Sequence, residues 1–406
     1  MVLLYHSFKD FSINIFTAVK ICDKIMEHIN HSTVVIKLNK AKTFLKEEIV
    51  LIISAVLAAV SAFFVKPTAA YFEYIDFRTL GLLLCLMLVM AGLNRMGIFS
   101  LLAQKMLVKT KNLRSLGLVL SLLCFFSAMV ITNDVALITF VPFTVTALEL
   151  SDKKKALIPI VVIETVAANL GSMLTPIGNP QNLYLFSAFN MGFGEFFGAV
   201  APYAALSLAL TVIATFMFRK EDIKIEIVHE KPQPEKAKLI IYIVLFMLSL
   251  LTVFRVIPYP VTLGITLLSV IIADRKTLAK ADYSLLLTFI FLFIFIGNLG
   301  KIEAVSSLLQ SLVKEREVLV GIAASQVFSN VPAAILLSSF TDNAAALLTG
   351  VNLGGLGTLI ASMASLISFK LIAKEKISTG RYMLVFTAVN VAFLAANLAL
   401  WCIYKG

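Results

Sequence analysis

Asn133, Asn169, Asn179, Asn182, Asn330 and Asn352 fall inside otherwise apolar stretches, together with Thr132, Thr175, Ser329 and Thr358 and two carboxylates, Asp134 and Glu164. Carboxamides and hydroxyls both donate and accept, and a carboxylate inside apolar surroundings can hold a proton or a cation. Such a set recognises small ions by hydrogen bonding. It contains no nucleophile–base pair and no metal-ligand cluster of the kind bond-breaking chemistry needs. The histidines His6, His28, His31 and His229 all lie outside the apolar runs, which rules out a histidine proton relay. The expectation is a binding site for an ion, not an enzyme.

These residues are spaced as two copies of one unit. Ala168 to Asn179 aligns without a gap on Val351 to Ser362, matching Asn169 with Asn352, Leu170 with Leu353, Gly171 with Gly354, Thr175 with Thr358 and Ile177 with Ile360. Proline and glycine in these stretches (Pro176, Pro180, Gly171, Gly178) prevent an unbroken helix. At such a break, freed amides present partial positive charge and freed carbonyls partial negative charge. An anion suits the amides and sodium suits the carbonyls, while glycine lets the backbone approach closely. Taken singly, each Asn has a plain alternative as a helix cap or an interhelical hydrogen bond.

The elements that hold these residues must cross a membrane. Hydrophobic residues make up 59% of the chain and charged residues 15%, against roughly a quarter charged in soluble proteins; the mean hydropathy is +0.94. Cys22, Cys85, Cys124 and Cys402 are scattered and read as small buried side chains. Spans are expected at about 49–65, 79–96, 196–218, 238–256, 260–274, 283–300 and 378–403, with broken spans at 156–190 and 343–372. Two further segments, 113–150 and 316–340, read as re-entrant hairpins with Thr132-Asn133-Asp134 and Ser329-Asn330 at their tips. The net charge of +11 then reflects loop lysines that set orientation, not nucleic-acid binding. Basic loops at 97–114, 151–156, 219–238, 275–281 and 373–381 all fall on one side. By the positive-inside rule that side is cytoplasmic, with the N-terminus inside and the C-terminus outside a plasma (inner) membrane.

The organisation is therefore a cytoplasmic extension at 1–48, a first repeat at 49–218, a cytoplasmic linker at 219–238 and a second repeat at 239–406. Asp76 and Asp282 open matching spans ahead of each hairpin, and an odd number of crossings separates them, so the second copy is inverted. The fold class is all-α: a polytopic bundle of two inverted repeats. Paired interrupted helices in inverted repeats point to a secondary transporter with a site at mid-membrane. The candidate substrate-binding residues are Thr132, Asn133, Asn169, Gly171, Thr175, Gly178, Asn179, Ser329, Asn330, Asn352, Gly354 and Thr358. Asp134 and Glu164 are candidates for a coupling proton or sodium ion, and no other cofactor or metal is expected.

At Thr132-Asn133-Asp134, Ser329-Asn330-Val331-Pro332, Leu174 to Pro180 and Gly354 to Ser362 the chain resembles the ion transporter superfamily. That group includes citrate-transporter-like permeases, divalent anion/sodium symporters, arsenite permeases and NhaD-type sodium/proton antiporters. The resemblance covers about 46–403. It implies hairpin tips that hold a small anion beside coupling ions, a scaffold and a moving body with elevator-like motion, and a homodimer in the bilayer. In the anion symporters each tip reads Ser-Asn-Thr; here Asp134 and Val331 follow the asparagines. The Asn-Asp tip is more similar to arsenite permeases, so arsenite or antimonite efflux and sodium/proton antiport stand beside anion transport.

Overall fold

In hydrocarbon a backbone has no water to bond, so it must pair its own N–H and C=O groups, and apolar runs fold as helices. The computed structural model describes residues 48–107, 110–223, 235–375 and 377–405. The extension expected at 1–48 lies outside them apart from Glu48, as does 224–234 of the linker. Residues 54–406 make up one compact unit, and the packing below is that unit's. All elements among the described residues are helical, apart from an isolated bridge between Asn112 and Asp222. Eight of these helices are long and apolar enough to cross a membrane.

The first repeat runs through α1 (Ile49–Phe64), the short α2 (Tyr71–Tyr74), α3 (Phe77–Arg95), α4 (Ile98–Leu107), a hairpin of α5 (Leu113–Ile131) and α6 (Asn133–Leu150), a broken pair α7 (Leu157–Gly171) and α8 (Pro180–Ala188), and α9 (Phe193–Phe216). After α10 (Lys236–Val253), the same order returns. It comprises α11 (Tyr259–Ala273), α12 (Tyr283–Lys301), α13 (Glu303–Val313), the hairpin α14 (Glu317–Phe328) and α15 (Asn330–Ser338), the broken pair α16 (Ala344–Leu353) and α17 (Met363–Ala373), and α18 (Thr379–Lys405). Asp76 and Asp282, matched by sequence, are matched N-caps: their side chains accept from Thr79 N and Leu285 N, both at 2.9 Å.

Two expectations change. The loop expected at 97–114 contains helix α4, and α13 stands between α12 and the second hairpin; the apolar residues of each are too few for a span. In α4 they bury Ala103 and Leu107; in α13 only Val313 is buried. The start of the linker is also not free, because Leu113 N donates to Glu221 O and Ile223 N to Lys111 O, tying it to the base of the first hairpin.

The packing interleaves the repeats. α3, α10 and α11 pack on one another, and α12 joins them through α3. In the remaining bundle each broken pair is shared: α8 packs on α15 and α16, while α17 packs on α6 and α7. The second half of each broken span thus sits against the other repeat's hairpin. Glycine permits one of these close approaches, since a Cβ at Gly171 would stand 2.1 Å from Phe125 O of α5.

Candidate functional site

Both hairpins turn on a single residue. Thr132 has φ 69° and ψ 153°, and Ser329 has φ 73° and ψ 156°. This region is populated almost only by glycine and costs on the order of 1–3 kcal/mol per residue. Paid at both tips by a hydroxyl residue, it sharply reverses the chain and starts α6 at Asn133 and α15 at Asn330. Asn133 folds its Oδ1 onto Asp134 N at 2.9 Å. Asn330 N instead donates to Ala361 O at 2.9 Å.

Asn169 is the hub. Its Oδ1 accepts from Asn133 Nδ2 and from Ser362 Oγ, both at 2.9 Å, and its Nδ2 donates to Ser365 Oγ at 3.2 Å. Since Ala361 and Ser362 are neighbours, the two tips are linked through Asn133, Asn169, Ser362 and Asn330. The repeat-mate of the hub, Asn352, donates to Asn182 Oδ1 at 2.7 Å. Asn182 Nδ2 in turn reaches Ser172 O and Thr175 O at 3.2 Å each. Asn179 donates to Ser172 Oγ at 2.5 Å, and a Cβ at Gly178 would stand 2.1 Å from Ser172 O.

Carbonyls freed by the breaks suit a cation such as sodium, but several are occupied by protein donors. Beside those held by Asn182, Gln326 Nε2 takes Gly354 O and Leu356 O at 2.9 Å each. Sequence alone does not single out Gln326, Ser365 or Gln181, because their repeat-mates, Met129, Asn182 and Ala364, are different residue types. Gln181 is buried with no partner for either side-chain atom. Thr175 and Thr358 keep the repeat: each hydroxyl bonds the carbonyl four residues ahead of the tip asparagine, Met129 O and Gln326 O respectively. Thr358 is exposed and stands apart from the asparagine network.

A cavity of about 490 Å³ lies between α3 and the start of α12 on one side and the first tip, the first break and α17 on the other. Thr132, Asp134, Asn179, Pro180 and Met363 line it, so the N-termini of α6, α8 and α17 all face it. It reaches Asn94 and Arg95 at the end of α3 and the exposed Lys280 and Asp282. Asp134 Oδ1 is buried there without a hydrogen-bond partner. The repeat-mates of α3, α6 and α17 are α12, α15 and α8, and there the space is filled. Tyr184 of α8 bonds Ser338 at 2.7 Å, and its ring packs 5.5 Å from Phe293 and 6.3 Å from Phe289 of α12. Glu164 is not among the cavity's lining residues. It is 0% exposed in mid-α7 and accepts from Thr144 Oγ1.

A family model described as "Citrate transporter" matches residues 41–353. The chain belongs to this family. It is a multi-pass membrane transporter of the citrate transporter/arsenite permease group. Similar members include the transporter MJ0456 of Methanocaldococcus jannaschii, 34% identical over 81% of this chain and 90% of that protein. The inner membrane protein YbiR of Escherichia coli is 31% identical over 75% of this chain and 82% of its own. The solved structure of the Alcanivorax borkumensis YdaH transporter covers 88% of this chain and 96% of that one, with a TM-score of 0.54 at 13% identity, a likeness of fold.

Proposed function

We propose that the chain is an ion-coupled secondary active transporter that carries a small inorganic or organic anion by alternating access of the elevator type. The observation that carries this reading is the asymmetry between repeat-related spaces: one holds the cavity, and its mate is packed by Tyr184, Phe289 and Phe293. Inverted repeats that exchange these two arrangements expose one site to opposite sides in turn. Three helix N-termini facing the cavity supply partial positive charge for an anion. Asp134 would repel that anion unless a proton or sodium neutralises it, which supports obligatory coupling. Arg95 and Lys280 at the cavity's exposed end match the basic side, so this conformation is assigned as open to the cytoplasm. A homodimer in the inner membrane, as the family resemblance implies, completes the reading.

The test is counterflow in proteoliposomes with radiolabelled citrate, sulfate and arsenite. Exchange in the wild type should be lost in Asn133→Ala and Asn330→Ala proteins that remain folded; full activity in both would sink the site assignment. The unpartnered Asp134 Oδ1 in the cavity favours a second reading, efflux of a neutral hydroxylated solute such as arsenous acid, the form arsenite takes at neutral pH. Growth of arsenite-sensitive cells expressing the protein discriminates the two.

A further inference from the structure

We propose that Glu164 is a proton-binding site and that its proton is a coupling ion of transport; the second clause rests on the transporter reading above. Glu164 is 0% exposed, and Thr144 Oγ1 of α6 donates to its Oε1. Its Oε2 is buried without a partner. The ionisable groups facing it are Cys124 of α5 and Tyr382 of α18, both acids that leave a negative charge uncompensated. Elsewhere on the helices packed against α7, Glu195 of α9 and Lys370 of α17 are exposed, and the buried Tyr203 of α9 is neutral in its ordinary form. No ion pair among the described residues involves Glu164. An isolated carboxylate in such surroundings is strongly disfavoured, whereas the neutral acid is a hydrogen-bonding group much like an amide. An apolar side chain would fill the place more simply, and an acid kept at membrane depth points to ion handling.

The bound ion is a proton and not sodium because of where the oxygens are. A hard cation gathers several oxygen ligands. At Glu164 the helix is continuous from Leu157 to Gly171, so its carbonyls are engaged in the helix itself. The break begins beyond Gly171, seven residues further on and about 10.5 Å along the axis. Binding is then a simple addition: the carboxylate takes one proton from water on one side of the membrane and returns one proton to water on the other. The position gives that event leverage. Next to Glu164, Thr165 donates to Ser368 at 2.8 Å, and one turn on Asn169 donates to Ser365, so α7 and α17 are joined along the stretch that holds both tips.

Infrared spectroscopy of the full chain in lipid nanodiscs tests the site without a substrate. At neutral pH a protonated-carboxyl band should be present, lost in Glu164→Gln and retained in Asp134→Asn. Should the Gln variant fail to fold, Thr144→Val in carbon-13 glutamate-labelled protein should shift the same band. A neutral-pH spectrum with no band sensitive to either change overturns the proposal, as does a band that sodium abolishes at constant pH. In proteoliposomes loaded with citrate or arsenite, Glu164→Gln should lose accumulation driven by a pH gradient; normal accumulation would overturn the coupling role. Absence of all exchange in the wild type, with the band present, would count against the transporter reading and leave the proton site standing.

Discussion

Asn169 of the first repeat donates to Ser365 of the second, and the repeat-related Asn352 donates back to Asn182 of the first. Each broken helix is thereby bonded to the second half of the other, just beyond its N-terminus. These two bonds tie the four half-helices into one crossed unit.

Replacing the hub is therefore expected to be costly. Asn169→Ala leaves Asn133 Nδ2, Ser362 Oγ and Ser365 Oγ without this buried partner, a loss on the order of 3 kcal/mol. The apparent melting temperature in detergent should fall by several degrees and counterflow should drop at least tenfold. Ser365→Ala removes one bond and should cost about 1 kcal/mol. Equal melting temperatures for both variants would contradict the hub.

The strained tips predict a trade between stability and activity. Thr132→Gly and Ser329→Gly each relieve an unfavourable backbone, on the order of 1 kcal/mol. Thermal unfolding should show no loss or a small gain, while transport falls because the hydroxyl is gone. A marked destabilisation by glycine would mean that the side chain holds the turn.

Close backbone approach predicts unequal tolerance among glycines. At Gly171 a Cβ would collide with Phe125 O, whereas at Gly198 nothing lies within 4 Å. Gly171→Ala should destabilise by about 2 kcal/mol or more by forcing α5 and α7 apart, and Gly198→Ala should be neutral. Thermal shifts measured side by side check this.

Arg255, in the turn between α10 and α11, clasps the end of α8. Its guanidinium donates to Phe186 O at 3.0 Å and Met191 O at 3.1 Å and stands 5.1 Å above the Phe186 ring. A cation at helix-terminal carbonyls is favourable, and the clasp lies near the packed aromatic face of Tyr184. Arg255→Ala should speed amide hydrogen exchange at 184–191 several-fold and leave the α5–α6 hairpin unchanged. Unaltered exchange at 184–191 would remove the clasp from the account.

Asp134 faces the cavity and begins the helix that starts at the first tip. Asp134→Asn should reduce or abolish the dependence of transport on sodium or pH while preserving the fold, measured as uptake against each ion in turn. An unchanged dependence would remove Asp134 from coupling and leave it to Glu164 alone.

Much of this was legible in the amino-acid order. Apolar length set the helices, because hydrocarbon admits little else. The match of Asn169 with Asn352, and of Thr175 with Thr358, set the repeat and the breaks, because proline and glycine cannot continue a helix at those depths. Two tips carrying Asn after a hydroxyl residue located the turns, though not their strained backbone. Tertiary structure alone decided which residues meet. Ser365 and Gln326 stand opposite different residue types, Asn182 and Met129, and their partners lie in the other repeat or around 30 positions along the chain, so no shared identity reports them; Gln181 has no hydrogen-bond partner for its side chain to report it. It also separated Asp134, in the cavity, from Glu164, sealed in α7, two acids that sequence treated alike. The direction a helix face points depends on its neighbours, and here those neighbours belong to both repeats at once.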